Sequence, residues 1–217
     1  MKKFDSLTAV AAPMALQNID TDQIIPKQFL KIIQRNALGD RLFFDLRYDE
    51  SGAEHEGFVL NQAPYRGARI LVTGNNFGCG SSREHAVWAL MDYGVRCVIS
   101  TRFSDIFAGN CIKNGLLAAT VSEPDRDLLL AQLQRAPGMC LAVDLPTQII
   151  RAGEGRELAF QVDAFAKKRL LEGKNDIDVT LQYSDAIASY EAGRLAREPW
   201  LIPARPFKPN PSQGGSR

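Results

Sequence analysis

A short strand that runs into a glycine-rich loop and on into a helix constrains this chain more than any other stretch of it. Ile70-Leu71-Val72 is an apolar, β-favouring run, and Gly74-Asn75-Asn76-Phe77-Gly78-Cys79-Gly80 follows with three glycines in seven positions. Ser81-Ser82-Arg83-Glu84-His85-Ala86 then opens an amphipathic helical pattern. The glycines let the backbone adopt positive φ and come close to a ligand, while the first helical turn offers unpaired N–H groups and a partial positive charge. Two hydroxyls and a guanidinium at such a place suit a small polycarboxylate, since arginine grips a carboxylate with two parallel hydrogen bonds. A plainer reading exists. Ser81 and Glu84 have the spacing of a capping box, and Arg83 could be a solvated first-turn residue. A cap needs one non-helical residue, whereas three glycines imply a loop shaped around something. Nucleotide motifs do not fit, because no third glycine follows at the dinucleotide spacing and no Gly-Lys-Ser/Thr is present.

Around this junction strands and helices alternate. The helix from Arg83 to about Tyr93 stops at Gly94, and Val98-Ile99 resumes a strand. Ser104 caps a second helix that ends at Gly115, Leu116 to Val121 is a strand, and Pro124 opens a leucine-rich helix that stops at Pro137-Gly138. Cys140–Asp144, Thr147–Arg151 and Leu158–Val162 read as successive strands, the last pair joined by Gly153-Glu154-Gly155. Upstream, Leu7 to Ala12 is a first strand, Pro26 opens a short helical stretch toward Ile33, and Arg41 to Leu46 forms another. Residues 49–62 are polar and irregular. These patterns give a mixed α/β class, and 217 residues with 45% hydrophobic content can bury a full core. From Pro203 onward, prolines and Gly214-Gly215 predict a mobile tail. No apolar run is long enough to span a membrane, and Met1-Lys2-Lys3-Phe4-Asp5 lacks the apolar core of a secretory signal. A net charge of +1, with Lys167-Lys168-Arg169 expected on a solvated helix face, argues against a nucleic-acid partner.

The run Asn76-Phe77-Gly78-Cys79-Gly80-Ser81-Ser82-Arg83-Glu84-His85-Ala86 resembles the signature of the mobile swivel domain of the aconitase family. Its Phe-Gly-Cys-Gly form is similar to that of the separate small subunits of isopropylmalate isomerases. Asp20-Thr21-Asp22-Gln23-Ile24-Ile25-Pro26 with Phe29-Leu30-Lys31 agrees with it, as do Ser104-Asp105-Ile106-Phe107, Asn114-Gly115-Leu116-Leu117 and the Asp185 to Glu191 helix. The resemblance covers residues 1–201 and leaves 202–217 as the tail. It implies an α/β fold of the layered β/β/α swivel type. It also implies a cytoplasmic hydro-lyase subunit of leucine biosynthesis that moves a hydroxyl between adjacent carbons of an isopropylmalate substrate by dehydration and rehydration. Ser81 would be the base, as an alkoxide, with Arg83 on a substrate carboxylate and Ser82 helping to position it. In split relatives the loop at Phe29-Leu30-Lys31-Ile32 varies with substrate, so Lys31 and Ile32 are candidate specificity residues, with plain helix packing as the alternative. Small subunits of homoaconitase or of a methyl-substituted maleate hydratase remain open, as does a carboxylate-binding module without catalysis.

Aconitase-like chemistry employs a [4Fe–4S] cluster held by thiolates. Cys79, Cys97, Cys111 and Cys140 are irregularly spaced and make neither a disulfide framework nor a Cys-x-x-Cys site. The cluster is therefore expected on a partner large subunit, with none in this chain. Cys97 and Cys140 lie in strands as small core residues, and Cys79 shapes the loop, although a helix N-terminus could lower its thiol pKa. Glu54-His55-Glu56 matches no zinc motif, and His85 reads as a helix-packing or hydrogen-bonding residue.

Overall fold

The apolar run at 70–73 is buried at every position, as a strand covered on both faces must be, and forms β2 (Ile70–Thr73). The computed structural model describes residues 1–34, 36–153 and 155–201. The other strands are β1 (Ser6–Met14), β3 (Cys97–Ser100), β4 (Leu117–Thr120), β5 (Cys140–Asp144), β6 (Ile149–Ala152) and β7 (Arg156–Ala159). They join in one seven-stranded sheet of order β4-β3-β2-β1-β5-β6-β7. β1 to β4 are parallel, and β5 to β7 form an antiparallel meander on the other edge of β1. Between β1 and β2 lie the short helices α1 (Thr21–Ile24) and α2 (Phe44–Arg47). Parallel neighbours need crossovers, and α3 (Glu84–Tyr93) and α4 (Asp105–Asn114) supply them after β2 and β3. α5 (Glu123–Arg135) and α6 (Ala164–Glu172) complete a first compact unit, 1–175. The second unit begins at Asp176 and contains α7 (Asp176–Leu181) and α8 (Ser184–Arg197).

Strand alternation divides the core. Ile70 and Val72 face one cluster with Ala11, Cys97, Ile99 and Leu141; Leu71 faces a second with Ala12, Met14, Val98, Phe77 and Phe107. The helix ends follow the sequence signals. Gly94 closes α3 at φ 112°, Ser104 accepts from the Phe107 N–H at the start of α4, Gly115 closes α4 at φ 87°, and Ser122 caps α5 with Pro124 in its first turn.

Four expectations need correction. The helix foreseen over 41–46 is split, because Leu42 and Phe43 are both fully buried and Phe43 turns at φ 52° to start α2. The last hairpin strand starts at Arg156 rather than Leu158, directly after the glycine turn. Cys140 is exposed, since Leu141 and Val143 take the inward positions of β5. Arg169 is only 6% exposed and lies over the Phe165 ring at 5.5 Å, leaving Lys168 as the solvated member of that basic trio. The tail foreseen from Pro203 lies outside the described residues. Among these, no helix is long and apolar enough to cross a membrane.

Candidate active site

The carboxyl ends of β1, β2 and β3 meet at the glycine loop, the end of a parallel sheet where ligands usually bind. The loop is pinned from both sides by hydrogen bonds to its own backbone. From the end of β3 and the chain just after it, the Ser100 hydroxyl donates to the Gly74 carbonyl and the Ser104 hydroxyl to the Gly78 carbonyl, both at 2.6 Å. The Phe77 N–H donates to the Arg102 carbonyl at 3.0 Å. From the chain after β1, the Ile19 carbonyl accepts from the Gly78 N–H at 2.8 Å, and the Cys79 carbonyl from the Thr21 N–H at 2.9 Å. The Thr21 hydroxyl, itself buried, donates to the Ser81 carbonyl at 2.8 Å. The Asp20–Ile25 and Gly74–Arg83 segments therefore fold as one site although about sixty residues separate them in sequence.

Two positions of this loop leave no room for a side chain. A Cβ on Gly78, which sits at φ 74°, would lie 2.2 Å from a ring carbon of Phe107, and one on Gly74 would lie 2.4 Å from the Leu16 carbonyl oxygen. At Gly74 backbone is packed against backbone, and at Gly78 against the Phe107 ring. The consequence is a loop fixed in shape before any ligand arrives.

The capping-box reading of Ser81 and Glu84 is not what forms. Arg83 occupies the N-cap of α3 with extended φ and ψ and makes no side-chain cap, while the Glu84 carboxylate accepts from Asn114 Nδ2 at 2.8 Å and Trp88 Nε1 at 3.3 Å. The capping box in this region is instead Asp20 with Gln23, at the start of α1. Ser81 and Ser82 are exposed, and among the described residues neither hydroxyl makes a hydrogen bond. The Arg83 side chain is 17% exposed and ion-paired to Asp22, whose side chain is 48% exposed. A guanidinium held at one nitrogen keeps further N–H donors for a second carboxylate.

The candidate specificity loop is anchored to the same helix. The Ile32 carbonyl lies 3.3 Å from His85 Nε2, and the His85 ring packs on Trp88 at 4.5 Å between centroids. The Ile32 side chain is half-buried against the core, whereas Lys31 is exposed. Burial raises the Cys79 thiol pKa, reinforced by the Asp20 charge, and its Sγ donates to the Asn18 carbonyl at 3.4 Å. That direction is opposite to the lowering considered from its place near a helix N-terminus. Burial also pushes the Cys97 and Cys111 thiols up. Among the described residues no three His, Cys, Asp or Glu side chains gather to hold a metal. Among the described residues the four thiols are too dispersed to hold a cluster together.

Sequence reasoning missed three supports: Thr21 beneath Ser81, Ser100 and Ser104 behind the glycines, and Asp22 on Arg83. Thr21 and Asp22 lie in a motif that already drew attention and Ser104 reads as a helix cap, but nothing in the sequence ties any of them to the glycine loop, and Ser100 carries no signal.

The parallel strands, the crossover helix and the hydroxyl–guanidinium junction define an aconitase-type swivel domain, and a family model described as the aconitase C-terminal domain matches residues 1–124. A model described as LeuD_N matches residues 127–164, and one for the C-terminal domain of the 3-isopropylmalate dehydratase small subunit matches residues 176–204. The chain belongs to the family of 3-isopropylmalate dehydratase small subunits. It is 53% identical over 201 residues to those of Xanthobacter autotrophicus and Rhodospirillum rubrum, covering 93% of this chain and 100% and 97% of theirs. A crystal structure of 3-isopropylmalate dehydratase from Methanocaldococcus jannaschii superposes with a TM-score of 0.61 at 23% identity, covering 86% of this chain and 99% of that one, a likeness that speaks to the fold.

Proposed function

We propose that this chain supplies one half of a two-chain hydro-lyase site that interconverts 2- and 3-isopropylmalate in leucine biosynthesis, the other half coming from a cluster-bearing large subunit in the cytoplasm. The single observation that carries the residue roles is the meeting of Ser81, Ser82 and Arg83, on one loop at the N-terminus of α3, with Asp22 of α1. Ser81 Oγ, as an alkoxide, takes the proton from the carbon beside a substrate carboxylate while the hydroxyl on the neighbouring carbon departs with its electron pair. The serine then returns that proton to the carbon that lost the hydroxyl as hydroxide adds to its neighbour, which restores the alkoxide and leaves no net gain or loss of water. An alkoxide is too basic to persist unaided near neutral pH, and the α3 dipole with the Arg83 charge lowers its cost. Arg83 holds a carboxylate through the donors that Asp22 leaves free, and Ser82 fixes its orientation. Lys31 and Ile32 act on substrate choice through the loop that His85 tethers.

Substrate profiling of the assembled enzyme tests this reading. Isopropylmalate is expected to be turned over in preference to homologous tricarboxylates and to methyl-substituted malates, and the reverse order would assign a different member of the family. Lys31→Arg with Ile32→Thr should move that preference toward tricarboxylates by roughly 10–200-fold, the worth of one apolar contact. An unchanged ratio would remove the loop from the specificity argument.

Arg83→Lys keeps the charge and loses the planar fork. It is expected to lower kcat/KM by about 10–100-fold, mostly through KM, since a charge-assisted hydrogen bond is worth about 1.5–3 kcal/mol. Asp22→Asn should raise KM as well, because the guanidinium is no longer held. Steady-state kinetics of both variants decide the point: wild-type KM in Arg83→Lys would mean that Arg83 binds no substrate carboxylate.

A further inference from the structure

The register of the sheet opens a notch at the end opposite the glycine loop. Ala11 is the first β1 residue matched to β2, through Ile70, while Ser6 to Val10 are matched only to β5 on the other edge. Along Ser6–Ala9 the β2-side edge of the strand has no strand partner, and contact with the next chain begins where the Val10 carbonyl accepts from the Arg69 N–H at 3.1 Å. The resulting cavity of about 340 Å³ is lined by Lys2, Lys3, Ser6, Thr8, Arg69 and Arg96 over an apolar floor. Arg69 and Arg96 are neighbours because each immediately precedes a paired residue, Ile70 and Cys97. Arg96 is 8% exposed, donates from Nη2 to the Lys3 carbonyl at 3.2 Å, and lies over the Phe4 ring at 5.9 Å.

Among the described residues, none of these four cations is ion-paired to a carboxylate. Lys3 feels Glu172 at longer range, but that carboxylate is bound to Lys174 at 2.9 Å. Burial, and after it the Arg69 charge, lowers the proton affinity of Arg96. Two adjacent guanidiniums, one of them desolvated, are unfavourable until an anion neutralises them.

We propose that this notch binds a small multivalent oxyanion of the phosphate or polycarboxylate class, held by Arg69 and Arg96 with Lys2, Lys3 and the Ser6 and Thr8 hydroxyls around it. A compact anion reaches the buried Arg96 inside the cavity, which a flat acidic protein surface does not. The site lies at the amino ends of β2 and β3, roughly 13 Å of strand from the Ser81 loop, so its ligand does not compete with substrate.

The test is titration of the full chain with inorganic phosphate and, separately, with tricarballylate, at constant ionic strength held by sodium chloride, followed by calorimetry and thermal melts. At least one of the two should bind saturably and raise Tm. Arg69→Gln, at an exposed position, should weaken that binding about tenfold without lowering the ligand-free Tm, whereas Lys168→Gln, the same charge loss outside the notch, should leave it within about twofold. Preference for one anion names its source. The proposal fails if neither anion saturates, if chloride at equal ionic strength gives the same shift, or if Arg69→Gln binds as tightly as wild type. It also fails if Arg69→Glu blocks assembly with a large subunit while no small anion binds, which would make the notch an interface with an acidic protein.

Discussion

Purified alone, the chain is expected to convert no isopropylmalate and to carry no iron, and addition of a cluster-bearing large subunit should bring activity from undetectable to full. The places of its four free cysteines lead to this expectation. A cluster ligand must be a thiolate, and burial holds the Cys97 and Cys111 thiols protonated on two core clusters that lie on different faces of the sheet. Cys79 is engaged with the Asn18 carbonyl, and Cys140 lies out on β5 in the antiparallel half. Without a polarising group for the departing hydroxyl, a serine beside a helix N-terminus can take a proton yet has nothing to drive the elimination. Iron analysis, visible absorption and isomerase assays with and without the large subunit measure this. Turnover by the iron-free single chain would overturn the two-chain reading.

The same contacts show what the sequence could and could not reveal. Helix ends with one local cause, such as Gly94, Ser104 and Gly115, were legible because a left-handed glycine or a capping hydroxyl acts within one turn. The unbroken apolar run Ile70-Leu71-Val72 was legible as a strand, and the structure buries it on both faces. Elements decided by distant packing were not legible. Phe43 takes a left-handed turn because its side chain and that of Leu42 are drawn fully into the core, and Arg169 is buried on Phe165 although the two residues before it are lysines. At the site, Ser81, Ser82 and Arg83 stood out because they share one loop. Thr21, Ser100 and Ser104 did not, because their meaning is a hydrogen bond to a carbonyl 26 to 60 positions away, which no local pattern encodes.

Ser81→Ala is expected to lower kcat of the assembled enzyme by about 10²–10⁴-fold, the usual contribution of a positioned acid or base, with little change in stability. Judged from spacing alone, the substitution would also remove a helix cap and cost about 0.5–2 kcal/mol. The structure removes that cost. Arg83, not Ser81, occupies the N-cap, the Ser81 hydroxyl bonds to none of the described residues, and the backbone of Ser81 is held through its carbonyl by Thr21, a contact that alanine keeps. Loss of turnover and loss of fold are thereby separable at this position. Thr21→Val supplies the contrast: it deletes the buried donor under the Ser81 carbonyl while keeping the side-chain shape. It should cost about 1–3 kcal/mol of stability for the unsatisfied acceptor and lower kcat by displacing Ser81. Thermal melts and single-turnover kinetics on both variants, at saturating large subunit, separate the two roles. Should Ser81→Ala retain kcat within about threefold of wild type, the proton is taken by a group on the other subunit and Ser81 is a loop residue.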